Sequence, residues 1–165
     1  MVEQIVVRIF DKPGELAKLT NILGNAGINL RALTSGEGTT TLFNEFTGKP
    51  VDQDGRTLDQ DSRMLLRLIV CNSADAKEEL NAKGYAVSTK QTLAVSIPDE
   101  PGSLATVLNI LAGAGINIKH AYTCIASKRE SAYAIIHLED KDNEHAMKLF
   151  AKHDVEPAGY EVCDL

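Results

Sequence analysis

The sequence predicts an α+β protein of two small units, each with the element order β-α-β-β-α-β around an antiparallel four-stranded sheet. The first observation is an internal repeat, since residues 11–17 read DKPGELA and residues 99–105 read DEPGSLA. The second is that both copies follow a short apolar run and open an apolar helix, which ends in AGIN at 26–29 and 114–117. Such a self-match favours two homologous units, because its period of about half the chain is that of a small domain.

The first strand and helix follow from local patterns. Residues 5–10 are a β-branched run bounded by the turn signal at 11–14, which predicts a strand. Pro13 suits the first turn of a helix, and Gly27 supplies the left-handed residue that ends it. Residues 28–35 alternate as a second strand. The predicted apolar face of the helix is Leu16, Leu19, Leu23 and Ala26.

Residues 36–61 interrupt the first unit with a polar, turn-rich segment that has no counterpart in the second. Residues 39–46 are compatible with a strand, and Asp54-Gly55 is a hairpin turn signal. A long loop in a small domain is usually functional or mobile, so we expect a mobile or hairpin-forming flap over one domain interface.

The rest of the first unit resumes the pattern. The sequence predicts a strand at 63–71, a helix at 74–83 that stops at Gly84, and a fourth strand at 85–88. Residues 89–92 then serve as a short linker to the second unit.

The second unit repeats this order. Its first helix has one apolar face, and its second helix spans 144–153. A hairpin of 116–125 and 132–139 turns at Lys128-Arg129. The last strand spans 155–162, and Pro157 places it at a sheet edge because proline removes a ladder donor. An edge position for the fourth strand agrees with a ferredoxin-like order. The apolar face of the first helix is Leu104, Val107, Leu108 and Leu111.

Composition restricts the class of protein. A net charge of −6 repels a phosphate backbone, which argues against nucleic acid as a partner. No apolar run is long enough to span a bilayer, and the first residues lack the basic and apolar regions of a signal peptide. The three cysteines Cys71, Cys124 and Cys163 are scattered, which fits a reduced, cytoplasmic environment.

The pattern D-x-P-G-x-L-A, then an apolar helix and A-G-I-N-[LI], resembles the ACT domain in both copies. The resemblance implies two ferredoxin-like ACT-type domains, at 1–90 with the inserted segment and at 91–165. It also implies a stand-alone, non-catalytic regulatory module that needs no cofactor and binds a small effector, most often an amino acid, at interfaces between paired domains. We expect a homodimer, because small units have exposed sheet edges to cover. An enzyme or regulator of amino-acid metabolism is a candidate partner.

The repeated turn has the chemistry of a small-zwitterion site. The first helical turn presents free N–H groups at the positive end of the helix dipole, where a carboxylate binds favourably. Glycine lets a ligand approach the backbone, while aspartate and asparagine offer partners to an ammonium group. The candidate ligand-binding residues are Asp11, Lys12, Pro13, Gly14, Glu15, Leu16, Asn29, Asp99, Glu100, Pro101, Gly102, Ser103, Leu104 and Asn117.

The same residues also have a purely structural interpretation. Aspartate caps the helix, Pro-Gly shapes the turn, and asparagine fits after the glycine stop. The chain is then an interaction or dimerisation module without a ligand.

A metal-binding protein is the third alternative. If the second hairpin turns at Lys128-Arg129, His120 faces His137 with Cys124 on the same side, and such side chains can hold a transition metal. A calcium loop is disfavoured, because the glycine follows the second aspartate directly and no closing glutamate has the required spacing. No residue set has the spacing of a catalytic site. The aspartates concerned are Asp52, Asp54, Asp59 and Asp61.

Overall fold

The structure, a computed structural model, describes residues 1–37, 42–43, 50–51, 63–125, 131–159 and 162 and is an α+β fold. The helices are α1 (Glu15–Asn25), α2 (Ser73–Ala82), α3 (Ser103–Gly113) and α4 (Asn143–Lys152). The strands are β1 (Val2–Phe10), β2 (Leu30–Glu37), β3 (Leu42–Phe43), β4 (Pro50–Val51), β5 (Arg63–Val70), β6 (Val87–Pro98), β7 (His120–Ile125), β8 (Ser131–His137) and β9 (Pro157–Ala158).

The described strands form one seven-stranded antiparallel sheet and a separate β3–β4 pair. The order in the large sheet is β2-β5-β1-β6-β8-β7, and β9 also pairs with β6. Strand β6 belongs to both halves, because its residues 87–92 pair with β1 and its residues 93–98 pair with β8. The prediction of two domains with separate four-stranded sheets is therefore not confirmed. The linker predicted at 89–92 is part of β6, and the domain boundary proposed at 90/91 falls inside that strand.

Each half of this sheet nevertheless keeps the ferredoxin-like neighbour order. The first half runs β6-β1-β5-β2, and the second runs β9-β6-β8-β7. Among the described strands, β9 pairs only with β6, so Pro157 lies at an edge as predicted. This strand is shorter than predicted, because Val155 and Glu156 precede it and it ends at Ala158.

Alternate residues along the strands divide the apolar side chains between two faces of the sheet. On one face, α1 and α2 cover β1 and β5, while α3 and α4 cover β6 and β8. The buried residues under α1 and α2 include Ile5, Val7, Leu66 and Leu68, and those under α3 and α4 include Leu93, Val95, Ala134 and Ile136.

A third apolar cluster forms on the helix-free face and draws side chains from both halves. Its buried members are Val2, Ile69, Ala94, Ile135, Ala158 and Val162, with Ala32, Tyr122, Cys124 and Tyr133 packed against them. In a flat sheet of this order, β2 and β7 would be about 24 Å apart at about 4.8 Å per strand. They contact each other, so the sheet is folded over near β6 and the two helix-free faces meet. This cluster packs the two halves on each other.

Several sequence features lie outside the described residues. They are Asp52, Asp54-Gly55, Asp59, Asp61, Lys128-Arg129 and Cys163. The flap predicted at 36–61 is described only in part, by the end of β2 and by β3 and β4. Within the part of the chain that the structure describes, no helix is long and apolar enough to cross a membrane.

Candidate functional site

The two copies of the repeated motif form the same turn. The N–H of Glu15 donates to the carbonyl of Lys12 at 3.2 Å, and the N–H of Ser103 donates to that of Glu100 at 3.2 Å. Gly14 has φ 90° and ψ −16°, and Gly102 has φ 94° and ψ −15°. A Pro-Gly pair with such glycine angles is the sequence and geometry of a type II β-turn. The helices therefore begin at Glu15 and Ser103, after the turn, and not at the prolines.

Both turns present backbone donors at an exposed helix end. The N–H of Lys18 donates to the carbonyl of Gly14 at 2.8 Å, and that of Thr106 donates to Gly102 at 3.0 Å. The intervening N–H groups belong to Leu16 and Ala17 in the first copy and to Leu104 and Ala105 in the second. These are the groups that a helix N-terminus leaves without an intrahelical partner. Asp11 to Gly14 and Asp99 to Gly102 are exposed, whereas Glu15, Leu16, Ser103 and Leu104 are half-buried.

Asn29 and Asn117 lie at the opposite ends of the helices from these turns. Both are exposed and follow the C-terminal ends of α1 and α3. Each helix has 11 residues, and 11 residues at about 1.5 Å each span about 16 Å. This is longer than an amino acid. The turn and the asparagine of one unit therefore do not share a small ligand, and a site that uses both takes them from different units or copies.

The two turns also lie at opposite ends of the shared strand. Val7 pairs with Val87 at the start of β6, and the first turn lies beyond Phe10, while the second turn follows Pro98 at the other end. The path from Val87 to Pro98 is about 36 Å of strand at about 3.3 Å per residue.

Three surface clefts are formed by other residues. One of about 570 Å³ lies between β6 and the start of α4, one of about 710 Å³ lies between α3 and α4, and one of about 20 Å³ lies beside Cys71. None of these three is lined by a residue of the predicted ligand-binding set.

Polar side chains meet where the helix-free faces pack. Two of them, His120 and His137, were candidates from the sequence, and two, Gln4 and Tyr122, were missed. Gln4 of β1 is fully buried, and its Nε2 donates to the hydroxyl of Tyr122 at 2.7 Å. Its Oε1 lies 3.4 Å from Nε2 of His120. His120 stacks on His137, its partner across the β7–β8 ladder, with ring centroids 4.8 Å apart. The two halves of the folded sheet, on either side of β6, act here as two packed sheets. We therefore call Gln4, His120, Tyr122 and His137 the inter-sheet polar cluster. The sequence gives no distinct signal for Gln4, because β1 also contains the polar residues Glu3 and Arg8.

Burial sets the protonation of this cluster. Burial, followed by the charges of Arg67 and His137, lowers the pKa of His120 to about 4. Burial also lowers the pKa of His137, although Asp140 opposes the shift. Burial raises the pKa of Tyr122 to about 12. The two imidazoles are therefore neutral at pH 7, and the contact between the sheets is made by uncharged groups.

The proposed metal set does not converge into a site. His120 faces His137 as the sequence indicates, but Cys124 pairs across the ladder with Tyr133 and packs in the third apolar cluster. Among the residues that the structure describes, no group of three or more His, Cys, Asp or Glu side chains is placed to hold a metal ion.

One family model matches a segment in the second half of the chain. Residues 91–154 match the ACT domain model. The ACT resemblance is confirmed for this segment, and a tandem ACT arrangement is not confirmed. The fold and this match together define an α+β protein in which one segment, residues 91–154, is similar to the ACT domain.

Solved structures share the fold over nearly the whole chain. A protein from Bacteroides thetaiotaomicron has a TM-score of 0.76 at 22% identity, over 99% of this chain and 96% of that one. The ligand-free regulatory subunit of aspartate kinase from Thermus thermophilus has a TM-score of 0.57 at 20% identity, over 91% of this chain and 90% of that one. The regulatory subunit of aspartate kinase from Thermus flavus has a TM-score of 0.53 at 19% identity, with the same coverage of 91% and 90%. At these identities the likeness is one of fold.

The Gly102→Ala substitution tests the turn geometry. A Cβ at Gly102 meets no atom within 4 Å, so the expected cost comes from the positive φ and is about 1–2 kcal/mol in the free energy of unfolding. The matched control is Gly24→Ala inside α1, which also has open space for a Cβ and is expected to stabilise by about 0.5–1 kcal/mol. Urea unfolding measures both. Shifts of the same sign would contradict the turn assignment. A bulky substitution at Gly102 would be a poor probe of ligand approach, because it would also strain the turn at this positive φ.

The inter-sheet polar cluster predicts acid sensitivity. The pKa of His120 is about 4 in the folded protein and 6.5 in the reference state, so below pH 6.5 the unfolded chain binds more protons than the folded one. The free energy of unfolding is therefore expected to fall as the pH drops from about 6.5 to about 4. Urea unfolding across this range checks the slope, which His120→Gln should flatten. His145→Gln, at an exposed helix position outside the cluster, is the control. A His120→Gln slope equal to that of the unsubstituted chain would refute the prediction.

Proposed function

We propose that the chain is a non-catalytic regulatory module of two ACT-like units that binds a free amino acid as its effector. The observation that carries this proposal is the pair of matching turns at Gly14 and Gly102, each of which presents two backbone N–H groups at an exposed helix end. A carboxylate is the favoured guest there, since the N–H groups and the helix dipole act together. Asp11 and Asp99 lie beside the turns as acceptors for an ammonium group.

The ACT match at 91–154 supports a role in small-ligand binding. The ferredoxin-like strand order in both halves supports two units of this type. Two of the structures with the same fold are regulatory subunits of aspartate kinase, which suggests a regulated enzyme as the partner.

A homodimer would bring the turn of one copy to an asparagine of another. Each helix holds its own turn and asparagine about 16 Å apart, by 11 residues at about 1.5 Å each. An effector that contacts both Gly102 and an asparagine such as Asn117 therefore favours association of two chains. The homodimer stays a prediction.

A ligand-free interaction module is the second candidate function. It is favoured by the exposure of the turn residues and by the three clefts, which other residues line. A thermal-shift screen of the twenty amino acids separates the two functions, because a ligand of the native state raises the melting temperature by an amount that grows with the logarithm of its concentration above the dissociation constant.

The Ala105→Pro substitution tests the turn of the second copy. Ala105 is exposed in the first turn of α3, where proline is tolerated, and the change removes one N–H donor. The loss of a hydrogen bond to a charged group, about 1.5–3 kcal/mol, weakens amino-acid binding about 10- to 150-fold. Isothermal titration calorimetry measures this loss.

The controls use the same positions. Ala105→Gly keeps the N–H and should retain binding, and Ala17→Pro with Ala17→Gly repeats the test in the first copy. If an amino acid binds both proline variants with unchanged affinity, the site lies away from the turns. If none of the twenty stabilises the protein, the effector proposal fails.

A further inference from the structure

The cleft of about 570 Å³ between β6 and α4 lies where the two halves of the chain join. Thr89, Lys90 and Gln91 come from the part of β6 that pairs with the first half, while Asp140, Asn143 and Met147 belong to the second half. Small-molecule sites occur preferentially at such junctions and have volumes of about 300–1,000 Å³. We call this cleft the junction groove.

The floor of the junction groove has an unpaired strand edge. Between residues 87 and 92, β1 is the only described strand that pairs with β6, and β8 begins to pair at Leu93. On the other edge, the backbone N–H and C=O groups of Thr89 and Gln91 therefore have no strand partner among the described residues. The His137 side chain lies within hydrogen-bonding reach of the Gln91 backbone, so the fully open position is Thr89. Such an edge offers hydrogen bonds to an extended ligand.

Two charged side chains of opposite sign line the junction groove beside Met1 and have no ion-pair partner among the described residues. They are Lys90 and Asp140. The neighbouring acidic side chains are already paired. Glu139 binds Lys119 and Lys141, each at 2.8 Å, and Glu144 binds Lys148 at 2.6 Å.

The remaining wall supplies an amide and an apolar surface. Oδ1 of Asn143 is buried and has no hydrogen-bond partner among the described residues. A donor that reached this amide would satisfy it, and a buried amide gains from such a bond. Met147 is half-buried on the next turn of α4, and the walls of the groove are predominantly apolar.

We propose that the junction groove is a second ligand site, distinct from the repeated turns, and that it takes an α-amino acid with an apolar side chain. The carboxylate pairs with Lys90 and the open edge of β6. The ammonium group pairs with Asp140, and the side chain lies against Met147. This inference goes beyond the proposed function, because it uses none of the turn residues.

The charge assignment is tested by calorimetry on the full chain with L-methionine as the probe. Lys90→Met keeps the aliphatic stem and removes the charge, and Asp140→Asn does the same for the acid. Because both side chains are exposed, each change is expected to weaken L-methionine binding about 2- to 5-fold. Lys152→Met, at the exposed far end of α4, is the matched control and should leave the affinity unchanged.

Two analogues separate the partners. L-methionine amide lacks the carboxylate, so Lys90→Met should not weaken it further, and N-acetyl-L-methionine should be insensitive to Asp140→Asn. Absence of L-methionine binding at 10 mM, or binding that neither groove variant weakens, would overturn the inference. Loss of binding in Ala105→Pro but not in Lys90→Met would assign the amino acid to the turn and refute the groove. The reverse result would support the groove as the site of L-methionine.

Discussion

The structure depends on the continuity of β6. This strand is the fourth strand of the first half and the first strand of the second, so neither half completes its sheet without it. Because β6 pairs with β1 first and with β8 afterwards, the ladder passes from one half to the other within a single residue step between Thr92 and Leu93. Thr92 is fully buried there, and its hydroxyl donates to the carbonyl of Ile136 at 2.9 Å. This hydrogen bond ties β6 to β8 at the point where β6 changes its pairing partner from β1 to β8.

The fold-over at β6 brings a polar cluster into the interior between the sheets. Burying Gln4, His120 and Tyr122 costs desolvation free energy, which their mutual hydrogen bonds offset. The packing of apolar side chains alone tolerates sliding of one sheet over the other. The hydrogen bond of 2.7 Å from Gln4 to Tyr122 is directional and would be broken by such sliding. The apolar cluster therefore drives the two faces together, and the polar cluster fixes how they align.

The local elements were predictable from sequence because their signals are local. Pro13-Gly14 and Pro101-Gly102 predict turns wherever they occur, and Pro157 excludes a central strand. The shared strand was missed because residues 89–92 read TKQT, a polar run with the composition of a linker. Thr92, the last residue of this run, is buried, and its hydroxyl donates to the carbonyl of Ile136 in β8, 44 residues away in sequence. The partnership of Gln4 with Tyr122, separated by 118 residues, is likewise a property of the fold-over and of no local pattern. Residue types alone also suggested that each turn shares a ligand with the asparagine of its own unit. The structure separates the two by the length of a helix.

The position of a ligand relative to β6 determines what its binding can change. The repeated turns lie beyond the ends of the β1 and β6 strands, so a ligand there orders one helix end and acts on one half at a time. The junction groove lies beside the middle of β6 and is lined by both halves. Lys90 and Asp140 also act electrostatically on His137, which belongs to the inter-sheet polar cluster. A ligand that bound these two charges would change the field at the contact between the sheets. Occupancy of the groove would therefore be coupled to the packing of the two halves, whereas a ligand at one turn would contact the residues of one half.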